Sequence, residues 1–286
     1  MRPRDWLVLP ILLAVPTAGP AQTRPTALGV VESIKQHMGV QWSEQTVDTF
    51  KDGDPATPVT GIAVTMMATF DVLKRAAAAG ANLIITHEPT FYDHLDRLDV
   101  LERDAVTATK RAFIREKQLV IVRMHDHWHR RRPDGIAVGM AQALGWEQQR
   151  DPQSEYLFQI PETSLGALAA SIRQRLAAPT LRVVGDSNMR VTRVALAPGA
   201  AGFALHRQAL QRPDVDVLLI GEAHEWETVE YVADAIAAGQ KKALILTGHI
   251  PSEQAGMEEF ARWLRTFLNN VTVTFVATAD PFWTPK

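Results

Sequence analysis

Short apolar runs alternate with amphipathic stretches along most of the chain. Residues 59–66, 82–86, 119–123, 191–197, 215–220, 243–247 and 271–276 are dominated by Val, Ile, Leu and small apolar residues, with little alternation. Such runs read as strands buried on both faces. Between them, 27–38, 70–79, 100–116, 135–144, 203–210, 225–238 and 252–268 carry helical spacing, and Gly80, Gly145 and Gly239 stand where three of these helices stop. Strand followed by helix, repeated, predicts an α/β fold with strands flanked by helices. The stretch 148–188 breaks the rhythm. It offers an edge strand at 156–160, a helix to Leu176 capped by Thr163 or Ser164, and a short strand at 181–184. The chain therefore divides into a leader at 1–21, an N-terminal α/β part at 22–147, an intervening segment at 148–188 and a C-terminal α/β part at 189–286. Residues 80–87 and 242–249 resemble each other, a weak internal repeat that points to duplicated halves.

The chemistry sits where apolar runs stop. Asn82-Leu83-Ile84-Ile85-Thr86 runs into His87-Glu88-Pro89, and Ala243-Leu244-Ile245-Leu246-Thr247 runs into Gly248-His249-Ile250-Pro251-Ser252-Glu253. Open α/β folds place ligands at the carboxyl edge of a parallel sheet. If a helix begins near Pro251, His249 and Glu253 converge on one ion. The alternative is a capping arrangement with Ser252 as N-cap and a solvated Glu253. His87 and Glu88, if extended, point to opposite sides. They would then serve different ions, or be a strand-closing histidine and a surface carboxylate. A third strand end holds His125-Asp126-His127-Trp128-His129. If extended, its three histidines share one side, a density that packing does not explain. Gly221-Glu222-Ala223-His224 closes a fourth strand, so Glu222 and His224 are candidates either to support metal ligands from behind or, with His125, to move protons. The loop Pro198–Gly202 opens a helix and is a weak anion-site signal. The chain contains no G-x-S-x-G, Walker-type or G-x-G-x-x-G motif.

Composition narrows the metal chemistry. The chain has no cysteine, which removes disulfides, thiolate ligands and a cysteine nucleophile. Any ion is held by His, Asp and Glu, a set that suits Zn, Mn, Fe or Ni. The net charge is −2 and the only basic cluster is Arg130-Arg131-Arg132, so no nucleic-acid partner is expected. Arg2 and Arg4 precede an apolar stretch, 6–15, followed by Pro16, Gly19, Pro20 and Ala21. That pattern predicts a signal peptide cleaved after Ala21 and an exported protein, periplasmic or secreted. The stretch is too short to span a bilayer, so no membrane association is expected after cleavage.

Three sets of residues resemble a known family. They are Val47-Asp48 with Gly53-Asp54-Pro55; Val59-Thr60-Gly61-Ile62-Ala63-Val64 with the Ala-rich helix and strand leading to His87; and Asp216 to Glu222 with Gly248-His249, Ser252-Glu253 and Gly256. Together, over roughly 28–276, they are similar to the Nif-three-like family of dinuclear metal proteins, also called GTP cyclohydrolase I type 2. The resemblance implies two related α/β domains with a site for two divalent ions between them, and a ring-like homohexamer. It implies His87, Glu88, His129, His249 and Glu253 as metal ligands. Two positions depart from the family pattern: Glu88 replaces a histidine of a His-His pair, and His129 replaces an aspartate. The swap is reciprocal and keeps three imidazoles and two carboxylates. The family's aspartate after the first strand falls on Met67. The function expected is a metal-dependent hydrolase acting on an unidentified small substrate through a metal-activated water. The alternative is a non-catalytic metal-binding, storage or partner-regulating protein.

Overall fold

The computed structural model describes residues 24–101 and 103–285; the leader predicted at 1–21 lies outside them. Two five-stranded sheets, each flanked by helices, form a mixed α/β fold. The first contains β1 (Phe50–Asp52), β2 (Ile62–Thr65), β3 (Leu83–Thr86), β4 (Val120–Arg123) and β10 (Val273–Phe275), in the order β1-β4-β3-β2-β10. The second contains β5 (Leu157–Ser164), β6 (Arg182–Val184), β7 (Arg190–Ala197), β8 (Val217–Ile220) and β9 (Ala243–Leu246), in the order β5-β7-β8-β9-β6. In each, three parallel strands form the centre, β2-β3-β4 and β7-β8-β9, and an antiparallel strand closes the edge beside β4 or β9. By position β3 therefore matches β8 and β4 matches β9. The repeat expected from sequence set β3 against β9, one strand out of register, because similar apolar runs end in histidine in both. The segment 148–188 supplies both edge strands of the second sheet.

Strand period-two alternation divides the core into layers. Ile62, Val64, Leu83, Ile85, Val120 and Val122 face one way, against α1 (Ala27–His37) and α9 (His249–Leu264). Ala63, Ile84 and Ile121 face the other way, against α2 (Phe70–Ala78) and α3 (Ala105–Glu116). In the second sheet Val217, Leu219, Ala243 and Ile245 meet α5 (Gly135–Leu144) and α6 (Leu165–Arg175). Leu218, Ile220, Leu244 and Leu246 meet α7 (Phe203–Leu210) and α8 (Glu230–Ala237), the latter entered through a π-helical turn at Glu225–Val229. Ser164 N-caps α6 and Gly145 ends α5 at φ 69°, as expected, and Thr69 N-caps α2.

Two helices change sides. α5 follows β4 of the first sheet but packs Met140, Ala141 and Leu144 on the second. α9 follows β9 of the second sheet but packs Met257, Phe260 and Leu264 on the first. They cross between the sheets at glycines: a Cβ on Gly139 would run into the Ala255 carbonyl, and one on Gly256 into Ile136. Gly139→Val should therefore destabilise the protein by about 1–3 kcal/mol, the usual cost of overpacking a close-packed contact. Urea unfolding measures it, and an unchanged midpoint would show that the crossing is not tightly packed. This crossing locks the carboxyl edges of both sheets together, with their ligand-bearing loops between them.

Candidate metal centre

β3 ends at Thr86, and residues 87 and 88 form a bend. Their backbone N–H groups both donate to the Met66 carbonyl, at 3.2 and 3.0 Å. The bend lets both side chains reach one cluster, where the sequence reading set them on opposite sides. Glu88 is held from behind by fully buried Arg123, whose Nη2 lies 3.3 Å from Glu88 Oε2 while its Nε donates to the His87 carbonyl.

The histidine-rich stretch is not extended, as the sequence reading supposed. Asp126–Arg130 is a short helix, α4. Asp48 causes the turn. Its carboxylate accepts from the backbone N–H of His125, Asp126 and His127, at 2.6, 3.0 and 2.8 Å, and from His127 Nδ1 at 2.6 Å. His127 is buried there, stacked on Trp42, with Nε2 accepting from the Ser43 N–H. It faces away from the cluster. His125 and His129, four apart on a helix, share the other face. Trp128 anchors α4 in the core through an Nε1–H donated to the Gly256 carbonyl at 3.1 Å.

α9 begins at His249, earlier than the Pro251 expected, so His249 and Glu253 are stacked one turn apart, Nε2 to Oε2 3.1 Å. Ser252 is not an N-cap. It sits inside the helix, donates to the His249 carbonyl and accepts from the Gly199 N–H at 2.9 Å. This explains Gly199 in the loop Pro198–Gly202: a Cβ there, at φ +67°, would strike the Glu253 carboxylate. The loop clasps Glu253 and Ser252 and has no need of a phosphate to account for it. Gly199→Ala should weaken metal binding about tenfold, as other losses of ligand support do. Competition with a chromogenic chelator reads it, and wild-type affinity in the variant would refute the contact.

Two donor triads result, each with its ligand atoms within 4.8 Å of one another: His87, His125 and His129; and His87, Glu88 and Glu253. His249 Nε2 adjoins the second, 3.5 Å from Glu88 Oε1. All five ligands expected from the resemblance therefore meet at one place. His125, expected to move protons, stands among the candidate donors, with Nε2 3.6 Å from Glu88 Oε1. Glu222 lies behind His249, 3.4 Å from Nδ1. His224 turns toward Glu227, Nδ1 to Oε2 3.4 Å, and stacks on the exposed Trp226.

The ring nitrogens are sorted. Each of the four histidines keeps Nδ1 on an oxygen and points Nε2 inward. Those oxygens are the Met124 carbonyl for His87 at 3.1 Å, Asp126 for His125 at 3.0 Å, Asp134 for His129 at 2.9 Å, and Glu222 for His249. Metal-ligating histidines are oriented by such partners on the other nitrogen. Asp134, the N-cap of α5, also accepts from the Tyr156 hydroxyl at 2.7 Å. Sequence reading missed Asp134 and Tyr156; a capping aspartate before the helix at 135 was the visible signal for the first. Inside the cluster, His87 Nε2 is fully buried with no hydrogen-bond partner among the described residues. Burial and the neighbouring imidazoles of His125 and His129 hold His87 well below the usual histidine range. A buried lone pair left unpaired is costly. A metal ion would satisfy this one, and the surrounding His and Glu donors fit it.

The fold and sequence have relatives. A protein of Chlamydia pneumoniae named GTP cyclohydrolase 1 type 2 homolog is 24% identical over 246 residues, 80% of this chain and 88% of that one. A hypothetical protein of Staphylococcus aureus superposes with a TM-score of 0.71 at 20% identity, covering 91% of this chain and 100% of that one. A Bacillus cereus protein related to NIF3 superposes with a TM-score of 0.70 at 15% identity, covering 92% and 100%. The model of Duf34/NIF3 (NGG1p interacting factor 3) matches residues 35–281, and the chain belongs to that family.

Proposed function

We propose that the chain is an exported dinuclear metal-dependent hydrolase. The observation that carries the proposal is the inward set of four Nε2 atoms, interleaved with Glu88 and Glu253, around the unpartnered Nε2 of His87. Two overlapping triads sharing His87 support two ions. His87, Glu88, His125, His129, His249 and Glu253 would hold them. When bound, such ions supply a water of lowered pKa and polarise the bond under attack. The chain's own groups orient the donors. Arg123 holds Glu88 so that Oε2 faces the guanidinium and Oε1 faces His125 and His249. Asp134 fixes His129 and accepts from the hydroxyl of Tyr156, which lines the cavity. Glu222, half exposed behind His249, sits 3.4 Å from Nδ1 and holds that ring with Nε2 toward the cluster.

Export rests on the leader pattern at 1–21, and the ring-like homohexamer on the family resemblance. An exported location does not favour GTP, the compound in the relative's name. The test is metal analysis of the full-length chain together with hydrolysis of ester, amide, phosphoester and cyclic substrates by the metal-loaded protein. Two metals per chain and turnover of at least one class are expected. Two bound metals with no turnover, and rapid reversible exchange of both, would instead establish a storage or delivery protein.

A further inference from the structure

We propose that the cavity beside the donor cluster takes a neutral, mainly apolar carboxylic ester or lactone and not a nucleotide or other polyanion. The inference rests on the hydrolase reading above and names its substrate class. The cavity measures about 690 Å³ and opens directly onto Glu88, His125, His129, His249 and Glu253. That size suits a small molecule of drug-like dimensions. Its far wall comes from the second sheet, the loop after β7 and α7: Leu157, Ala197, Pro198, Ala201, Leu205 and Ala209. Leu205 is 55% exposed in the chain although it is a large aliphatic side chain on the cavity rim. Small residues along the wall leave room, and apolar atoms reward a hydrocarbon body.

The charges argue the same way. Among the described lining residues, Arg212 is the one lysine or arginine. Its guanidinium is already engaged by Asp214, with Nε–Oδ1 3.1 Å and Nη2–Oδ2 2.8 Å. Glu88, Asp134 and Glu253 also line the cavity. Beyond the metal ions themselves, the wall offers a triphosphate an apolar surface beside carboxylates and no unpaired lysine or arginine. A neutral ester meets no such conflict: its carbonyl reaches the donor cluster while its carbon body covers the wall. Hydrolysis balances with water alone. The water oxygen bonds to the carbonyl carbon, the C–O bond to the alcohol breaks, and the alcohol oxygen leaves with a proton taken from the water.

The test compares hydroxamic acids, which bring a metal-seeking head on tails of chosen chemistry. Calorimetry on metal-loaded full-length protein should find octanohydroxamate at least about tenfold tighter than acetohydroxamate, the effect of burying as few as two methylenes. Succinate monohydroxamate, with an anionic tail, should gain nothing. Leu205→Asp should erase the octanoyl advantage while leaving acetohydroxamate binding and metal content intact. Equal affinities, or a preference for the anionic tail, would overturn the inference. A second arm needs no metal: the neutral fluorophore N-phenyl-1-naphthylamine should brighten on the metal-free protein and not on Leu205→Asp. Failure there refutes the apolar cavity. Success there, with no hydroxamate bound by the metal-loaded protein, instead refutes the hydrolase reading and leaves the cavity as a site for neutral ligands.

Discussion

His87→Ala should empty both metal positions at once, weakening binding of each ion by more than about a hundredfold, above the range for losing an outer partner of a ligand. The reason is its place in the cluster. His87 is common to both donor triads, and its buried Nε2 makes no hydrogen bond among the described residues, with Glu253 Oε2 3.5 Å away. Its ring also packs face to face with His125, centroids 4.5 Å apart, and lies 5.0 Å from His129, so its removal frees the neighbours that complete the first triad. By contrast, losing His249 leaves both triads formally complete, and His249→Ala should retain part of the metal. Metal content after dialysis, with titration of the emptied protein, separates the two. Equal, partial losses in the two variants would mean that His87 is not shared. Because wild-type His87 is held neutral by burial, and a buried uncharged ring is being replaced, circular dichroism and a urea midpoint should accompany the measurement. The cavity left by the ring costs stability of its own, about 2–5 kcal/mol by analogy with other large-to-alanine changes.

The cluster was legible from sequence at the level of strand ends. Val, Ile and Leu runs buried on both faces must stop at a sheet edge, and His87, Glu88, His249 and Glu253 follow such stops directly. What was not legible is non-local. The turn that makes α4 a helix is imposed by Asp48, 77 to 79 residues earlier in the chain, through four hydrogen bonds to residues 125–127. Without it, alternation set His127 beside His125 and His129; with it, His127 becomes a buried strut. The bend that brings Glu88 in is likewise held by Arg123 from the neighbouring strand. His224 shows the limit of strand-end reasoning: it follows β8 as expected, but its side chain finds Trp226 and Glu227. The exchange of α5 and α9 between sheets left no periodic trace, because amphipathic spacing states that a face is buried and not against which sheet.

Metal affinity should climb steeply with pH, by about ten- to a hundredfold per pH unit near neutrality, because one to two protons leave as the ions enter. The sign follows from the individual groups. Burial lowers His249, but the carboxylates of Glu222, Glu253 and Glu88 outweigh it and push the imidazole up to about 12. Burial likewise opposes His129, and Asp134, Glu253 and Glu88 raise it above its ordinary value. The His249 ring holds a proton in the metal-free protein around neutrality and must release it to ligate, and the upward shift of His129 acts in the same direction. His87 is held neutral and releases none. Glu88 releases none either: burial raises it, but the hydrogen bond and charge of His249, with His125 and Arg123, bring it to about 2. The metal-free protein should respond in the opposite direction. Stability contributed by protonated His249 and His129 is present below the unfolded histidine value near 6.5 and fades as pH rises toward the folded value. That of His87 runs the other way, present above about 6.5 and lost as pH falls. Titrations at pH 6, 7 and 8, in buffers of different ionisation enthalpy, count the protons released. An affinity independent of pH would show that the ions do not displace protons from this cluster.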